Sequence, residues 1–159
     1  MAPARIRPSD HPTTLFYLPS AVDSMGPGVP PPRQPAVDST ELMEELQFGI
    51  DHDQLRLHYQ PIIALGTGAP AGVEALVRWQ HPSRGLLAPV DFIDVAEQSG
   101  VVVPLGDWVL QKACQQAARL QAKGERELTV AVNVSARQLN DRAIVDTVQA
   151  ALKDSGCSA

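Results

Sequence analysis

An acidic and a basic side chain share one face of a predicted β-strand near the middle of this 159-residue sequence. Glu74 and Arg78 alternate with the apolar residues Val73, Ala75 and Val77. At a rise of about 3.3 Å per residue, the two charged groups would stand about 13 Å apart, too far to pair directly. Such groups are costly in a buried sheet unless a metal ion, a phosphate or a partner satisfies them. Glu74 is therefore a candidate ligand, and an ion-paired carboxylate on an edge strand is the simpler alternative.

Asn133 is the second candidate, because it lies near the C-terminal end of another predicted strand. Sheets and barrels of the α/β class usually place their sites at this end. An amide oxygen is a neutral hard donor suited to Mg²⁺ or Mn²⁺, and a residue that caps or turns the strand is the simpler alternative. The four histidines show no paired ligand spacing, and we expect surface roles for His58 and His81. The sequence has no Gly-rich phosphate loop, GxSxG motif or HExxH motif.

Hydrophobic periodicity predicts the elements that would position these residues. A helix of about ten residues would begin at Asp38-Ser39-Thr40, where small polar side chains can cap it. Alternating patterns predict strands at about 55–63, 73–79 and 128–135, the first two joined by a turn at 66–68. A loop is predicted at 80–85, and further helices at about 91–99, at about 107–122 and before 155–156. This order predicts an α/β fold with parallel pairing across the helical crossover.

Composition and charge exclude several classes of protein. Thirteen basic and 18 acidic residues give a net charge of −5, which argues against a nucleic-acid binder or an anionic-membrane binder. Nine of the 14 prolines fall within residues 1–36, so residues 1–37 are predicted to be a disordered Pro-rich tail or linker before an ordered domain at 38–159. No apolar run is long enough for a membrane span, and no signal peptide is evident. We therefore expect a cytoplasmic protein whose two cysteines are thiols.

Four ordered motifs resemble the opening of the EAL domain family. They are Leu57-His58-Tyr59-Gln60-Pro61-Ile62, Glu74-Ala75-Leu76-Val77-Arg78-Trp79, Gly106-Asp107-Trp108-Val109-Leu110 and Val132-Asn133-Val134-Ser135-Ala136-Arg137-Gln138-Leu139. The resemblance extends from about residue 40 to the end of the sequence. It implies an α/β fold that forms part of a variant TIM (β/α)₈ barrel. It also implies hydrolysis of the bacterial second messenger cyclic di-GMP to its linear dinucleotide with Mg²⁺ or Mn²⁺.

The same resemblance assigns roles to single residues. Glu74 and Asn133 match metal-binding positions of the family. Arg78 matches a position that contacts ligand phosphate, which would explain a guanidinium on the face shared with Glu74. Gln60 and Leu76 match substrate-binding positions. Cyclic di-GMP is accordingly the ligand that the resemblance implies.

The resemblance covers only the N-terminal half of a barrel, since a complete barrel needs about 250 residues. The family's later acidic residues and its catalytic-site lysine have no counterpart after Leu139. Two side-chain ligands are few for ions that take about six oxygens. We therefore expect no appreciable phosphodiesterase activity from this chain alone. Three alternatives stay open. The first is completion by a second chain, by a homodimer, or by sequence lost in a frameshift or at a gene boundary. The others are a non-catalytic module that binds cyclic di-GMP or a protein partner, and an inert gene fragment.

Overall fold

Two stretches of the chain, residues 38–124 and 129–157, are described by the structure, which is a computed structural model. The predicted Pro-rich tail at residues 1–37 lies outside the described residues, as does Leu128 of the third predicted strand. The helices are α1 (Ser39–Asp51), α2 (Ile93–Ser99), α3 (Val102–Ala122), α4 (Ala136–Leu139) and α5 (Ala143–Ser155). The strands are β1 (Leu55–Ile63), β2 (Pro70–His81), β3 (Gly85–Leu87) and β4 (Thr129–Val132), and a 3₁₀ turn spans Pro89–Asp91. No described helix is long and apolar enough to cross a membrane.

β2 is the central strand of the sheet. β1 runs antiparallel along one edge of β2 and is joined to it by the predicted glycine turn. In that turn Gly68 adopts a φ of 70°, and its backbone amide donates to the carbonyl oxygen of Ala64 at 2.8 Å. β4 pairs in parallel with the other edge of β2 after the crossover through α2 and α3, and β3 pairs antiparallel with the end of β2. The predicted α/β order and the predicted parallel pairing are both confirmed.

Several elements differ from the sequence-based prediction: β2 extends to His81, into the loop predicted at 80–85, and β4 ends at Val132 instead of at about residue 135. β3 and α4 were not predicted, because elements of three or four residues are too short to leave a periodic pattern. α3 begins at Val102 instead of at residue 107, despite the proline and the glycine in its first turns. Pro104 is tolerated because it lies in the first turn, where a backbone amide has no acceptor within the helix.

One face of the sheet packs against helices, and the opposite face carries the polar residues. Ala75, Val130 and Val132 are buried against the apolar stripe of α3, which the helical periodicity of the sequence predicted. Near the far end of β2, Trp79 is fully buried among side chains of α1, β1 and α2. Because side chains alternate along a strand, Glu74 points to the face opposite to that of Ala75 and Trp79.

His81 is buried, so the predicted surface role of this residue is wrong. Only 2% of the residue is exposed. β2 continues to His81, and the chain behind it folds back so that the backbone amides of Ser83 and Arg84 both donate to Nδ1 at 3.2 Å. The ring nitrogen Nε2 stands 3.2 Å from Oε2 of Glu45 on α1, and that oxygen accepts from Nη2 of Arg84 at 3.1 Å. The ring therefore organises the turn after β2, which the loop-like sequence around Pro82 concealed.

Candidate functional site

Glu74 and Gln60 are brought side by side by the β1–β2 hairpin. The two residues are directly opposite each other in the antiparallel register, and cross-strand partners point to the same face of a sheet. Gln60 is exposed and Glu74 is half-buried. The pairs from Leu55–Trp79 to Ile62–Gly72 are symmetric about Thr67, and a register shift between Ile62 and Ile63 separates them from the pair Ile63–Pro70 beside the turn. A carboxylate and an amide therefore share one patch of the sheet.

Asn133 reaches the same patch from β4. Glu74 pairs with Ala131 in the parallel register, and Asn133 follows two residues later, on the same face. Nδ2 of Asn133 donates a hydrogen bond to Oε1 of Glu74 at 2.8 Å, across 59 residues of sequence. The structure thus brings the two candidate metal ligands into contact just beyond the C-terminal end of β4.

Glu74 is neither on an edge strand nor ion-paired within the described residues, so the simpler alternative for this residue is wrong. β2 is flanked by β1 and by β4 at this position. The ion pairs among the described residues involve the carboxylates of Asp53 and Glu45 instead. The hydrogen-bond partner that Glu74 does have, the amide of Asn133, carries no charge. A half-buried carboxylate in this situation keeps lone pairs with which to bind a cation.

Glu74 and Asn133 offer the types of oxygen that a small hard cation prefers, but they are too few to complete its coordination. Rotation of the Asn133 amide by 180° exchanges Nδ2 for Oδ1 and presents an amide oxygen beside the carboxylate of Glu74. Oxygens of these two types are the ligands that Mg²⁺ and Mn²⁺ prefer. In residues 38–124 and 129–157 no group of three or more His, Cys, Asp or Glu residues is arranged to hold a metal ion. Glu74 and Asn133 would therefore supply two of the about six ligands that such an ion takes.

Arg78 and Leu76 lie on the face of Glu74, farther along β2. Both are half-buried, and Leu76 is opposite His58, which is exposed as predicted. Nη1 of Arg78 donates to the carbonyl oxygen of Val77 at 2.7 Å. No carboxylate of the described residues pairs with the Arg78 guanidinium within 4.0 Å. Most of its five N–H donors are therefore open to an anion.

Arg56 is a basic residue of this face that the sequence-based prediction missed. It is directly opposite Arg78 in the register, with 50% of its side chain exposed. Its Nη1 donates to the carbonyl oxygens of Asp53 at 2.6 Å and Leu55 at 2.7 Å, and lies 3.3 Å from Oδ1 of Asp53. Like charges that face each other across a strand pair are unfavourable, and an anion between them would offset that repulsion. The symmetry of the hairpin about Thr67 is the signal that could have identified this residue.

Comparison with known proteins agrees with the motifs and with the fold. The EAL domain profile matches residues 43–159. The chain is 45% identical over 124 residues to the cyclic di-GMP phosphodiesterase NbdA of Pseudomonas aeruginosa, a match that covers 78% of this chain and 16% of NbdA. It is 48% identical over 109 residues to the cyclic di-GMP phosphodiesterase PdeR of Escherichia coli, which covers 69% of this chain and 16% of PdeR.

A solved structure extends the agreement to three dimensions. The c-di-GMP complex of the PaMucR phosphodiesterase superposes with a TM-score of 0.70 at 39% identity, and the match covers 74% of this chain and 47% of that one. The chain therefore spans about half of that solved chain and 16% of each of the two sequence relatives. This partial coverage is consistent with the N-terminal half of a barrel of TIM type. From its motifs, its sheet topology and its relatives together, the chain belongs to the EAL domain family.

Proposed function

We propose that this chain forms part of the cyclic di-GMP site of a metal-dependent phosphodiesterase, in which Glu74 and Asn133 are ligands to Mg²⁺ or Mn²⁺. The observation that carries the proposal is the contact between these two side chains at 2.8 Å on the polar face of the sheet. Two relatives that share close to half of their matched residues with this chain are named cyclic di-GMP phosphodiesterases. The site of action in this proposal is the cytoplasm, where reducing conditions keep the Cys114 and Cys157 thiols reduced.

Each residue of the site has a separate role in binding a cyclic dinucleotide. Arg78 binds a phosphate of the ligand through its planar guanidinium, which can donate two parallel hydrogen bonds. Gln60 donates and accepts hydrogen bonds beside Glu74, and Leu76 offers an apolar contact between Glu74 and Arg78. The bound cations would orient a water molecule, lower its pKa and stabilise the negative charge that develops on the phosphate.

The 159-residue polypeptide by itself is expected to hold its cation weakly and to leave cyclic di-GMP uncleaved. Two side chains cannot complete the shell of an ion that takes about six oxygens. Within the described residues, β1 and β4 each pair only with β2, so each has an edge that another strand can extend. A second chain or a second copy of this chain would supply the remaining ligands and cover these edges.

The test is calorimetric titration of the purified chain with cyclic di-GMP, with MnCl₂ and with EDTA. In the presence of Mn²⁺, Glu74→Gln should raise the dissociation constant of cyclic di-GMP about tenfold or more, because a charged metal-binding side chain becomes neutral. Glu97→Gln is the matched control, since Glu97 is an exposed glutamate on α2, and it should leave binding unchanged. Equal affinities for the two variants, or no heat at high micromolar ligand, would contradict the proposal. Linear dinucleotide on a chromatogram would show that the polypeptide needs no further residues.

A non-catalytic binding module is the second candidate function, and it is favoured by the guanidinium of Arg78, which pairs with no carboxylate of the described residues. Arg78, which faces Arg56 across the hairpin, can bind phosphate with no metal ion, although Arg56 itself already contacts the carboxylate of Asp53. Binding that persists in EDTA, is lost in Arg78→Ala and is indifferent to Glu74→Gln would select this function over the first. An inert gene fragment would show neither behaviour and would elute as an aggregate from a gel-filtration column, because its strand edges remain open.

A further inference from the structure

The turn that follows β4 carries Asn133 and is closed by two reciprocal side chains. Ser135 is the N-cap residue of α4, and its Oγ accepts a hydrogen bond from the backbone amide of Gln138 at 3.2 Å. Oε1 of Gln138 in return accepts from the backbone amide of Ser135 at 3.1 Å and from its hydroxyl at 3.2 Å. This capping box fixes the backbone two residues beyond Asn133.

Gln138 does more than cap a helix, because its side chain is inserted against α3. Only 4% of the residue is exposed, which is unusual for a glutamine. Its amide occupies the space above Gly106, where an added Cβ would overlap the side-chain nitrogen, carbon and oxygen of Gln138. A glycine at this point of α3 is therefore what admits the glutamine, and close packing leaves the amide one position.

A neighbouring residue anchors the same turn at a second point. Nη1 of Arg137 donates to the carbonyl oxygen of Glu97 at 2.8 Å, at the C-terminal end of α2. Its guanidinium lies over Gly100, whose φ is 92° and whose position would bring an added Cβ to 3.0 Å from Nη2. A cation at a helix C-terminus is favourable. The chain after β4 is thus tied to α2 by Arg137 and to α3 by Gln138.

We propose that Gln138 is the positioning residue of Asn133: by docking against Gly106 and closing the Ser135 turn, it holds the Asn133 amide against Glu74. Asn133 is exposed and lies after the last residue of β4, so the strand ladder alone does not restrain its side chain. The use of this arrangement for cation binding rests on the proposed function. The positioning itself does not, since the 2.8 Å contact needs no ligand.

The first experiment reads the Asn133 side chain directly in the full chain without ligand. The ¹⁵N-labelled side-chain amide signals of Asn133 are identified by their loss in Asn133→Asp, and their shift without the carboxylate partner is measured in Glu74→Ala. Gln138→Ala should move these signals most of the way to the Glu74→Ala position. Gln138→Glu should restore them, because a carboxylate oxygen also accepts from Ser135. Gln111→Ala, at an exposed glutamine of α3, is the matched control.

A second variant keeps the test decisive if Gln138→Ala does not fold. Gly106→Ala leaves Gln138 in the chain and displaces its side chain, so it should shift the Asn133 signals in the same direction. Unchanged Asn133 signals in a folded Gln138→Ala or Gly106→Ala variant would overturn the proposal and leave Gln138 as a helix cap only.

A ligand-binding measurement distinguishes the positioning role of Gln138 from the proposed function of the site. Where the chain binds cyclic di-GMP with Mn²⁺, Gln138→Ala should weaken binding about tenfold in the native background and not at all in an Asn133→Ala background. Equal losses in the two backgrounds would show that Gln138 does not act through Asn133. If the native chain binds neither Mn²⁺ nor cyclic di-GMP, the proposed function fails while the Asn133 spectrum still decides the positioning role.

Discussion

Glu74 and Asn133 show at the scale of single residues how a neutral partner keeps a carboxylate available. An arginine or lysine beside Glu74 would form an ion pair that competes with a cation. The Asn133 amide satisfies one oxygen of Glu74 without neutralising its charge. It also brings an oxygen of its own that a rotation can present. The charge of Glu74 therefore stays available to the cation of the proposed function.

Replacing Asn133 by Asp tests this view of the pair. Two facing carboxylates repel, so the melting temperature of the ligand-free Asn133→Asp variant should fall by a few degrees. The added charge should tighten Mn²⁺ binding about tenfold, since the number of charged ligands tunes affinity for hard cations. Differential scanning fluorimetry over a series of MnCl₂ concentrations measures both effects. Asn140→Asp, an exposed asparagine outside the site, is the control, and an equal response of the two variants would contradict the expectation.

Arg78 should show a trade-off between stability and ligand binding. Arg78→Gln removes one of two opposed like charges, so the free energy of unfolding should stay level or rise by up to about 0.5 kcal/mol. Binding of cyclic di-GMP should weaken about tenfold or more, because a charged double hydrogen bond to phosphate is lost. Urea unfolding and calorimetry measure the two quantities. Arg142→Gln serves as the control at an exposed arginine, and a clear loss of stability in Arg78→Gln would show that this guanidinium is structural.

At the scale of elements, the site depends on the close approach of β2 and β4. Gly72 pairs with Thr129, and an added Cβ at Gly72 would overlap the hydroxyl oxygen and the carbonyl oxygen of Thr129. Thr129 Oγ1 also donates to the carbonyl oxygen of Ala71 at 3.3 Å. Any side chain at Gly72 must therefore push the two strands apart, two residues from Glu74.

Gly72→Ala should consequently destabilise the chain by about 1–3 kcal/mol, the usual cost of overpacking. It should also separate Asn133 from Glu74 and weaken Mn²⁺ binding. Urea unfolding followed by circular dichroism gives the stability. Gly66→Ala is the matched control, because Gly66 has no atom within 4 Å of an added Cβ, and it should be close to neutral. Similar stabilities for the two variants would mean that β2 and β4 tolerate a wider spacing.

Much of this element structure could be predicted, because the patterns involved are local. Alternation in β1 and β2, the glycines of the turn and the apolar stripe of α3 each depend on residues a few positions apart. The burial of His81 and the docking of Gln138 could not be predicted in this way, because they depend on contacts with α1 and α3. β3 and α4 are too short for a periodic pattern, although the capping box of Ser135 and Gln138 is a local signal for the start of α4.

At the scale of the whole molecule, burial shifts the titration of three groups in the core. Burial raises the pKa of Cys114, and the neighbouring Cys157 thiolate raises it further. Burial also raises the pKa of Cys157, against a hydrogen bond from Gln121 that lowers it. Burial raises the pKa of Tyr59, against the opposing charge of Arg119. In each case the folded state favours the neutral form.

These shifts determine how stability should depend on pH. A group whose pKa is higher in the folded than in the unfolded state contributes stability that is complete below its unfolded pKa and is lost as the pH rises through its folded pKa. Burial also raises the pKa of Asp107, and Asp141 raises it further, so the free energy of unfolding should fall once as the pH rises above the ordinary carboxyl value of 3.8. It should then be level up to about the ordinary thiol value of 9.0 and fall again above it. Urea unfolding at a series of pH values measures this decline. In Cys114→Ala/Cys157→Ala it should begin nearer the ordinary tyrosine value of 10.0, and an unchanged onset would contradict the assignment to the thiols.

The sequence by itself determined which residues of this EAL-family chain share a face. Glu74, Leu76 and Arg78 lie together because a strand alternates its side chains. Gln60 joins them because the hairpin, which has a register shift between Ile62 and Ile63, pairs it with Glu74. Only the tertiary structure decided that Asn133 touches Glu74 and that Gln138 docks on Gly106. These two contacts depend on the position of β4 along β2 and on the packing of α3 against the sheet. No local sequence pattern encodes either of them.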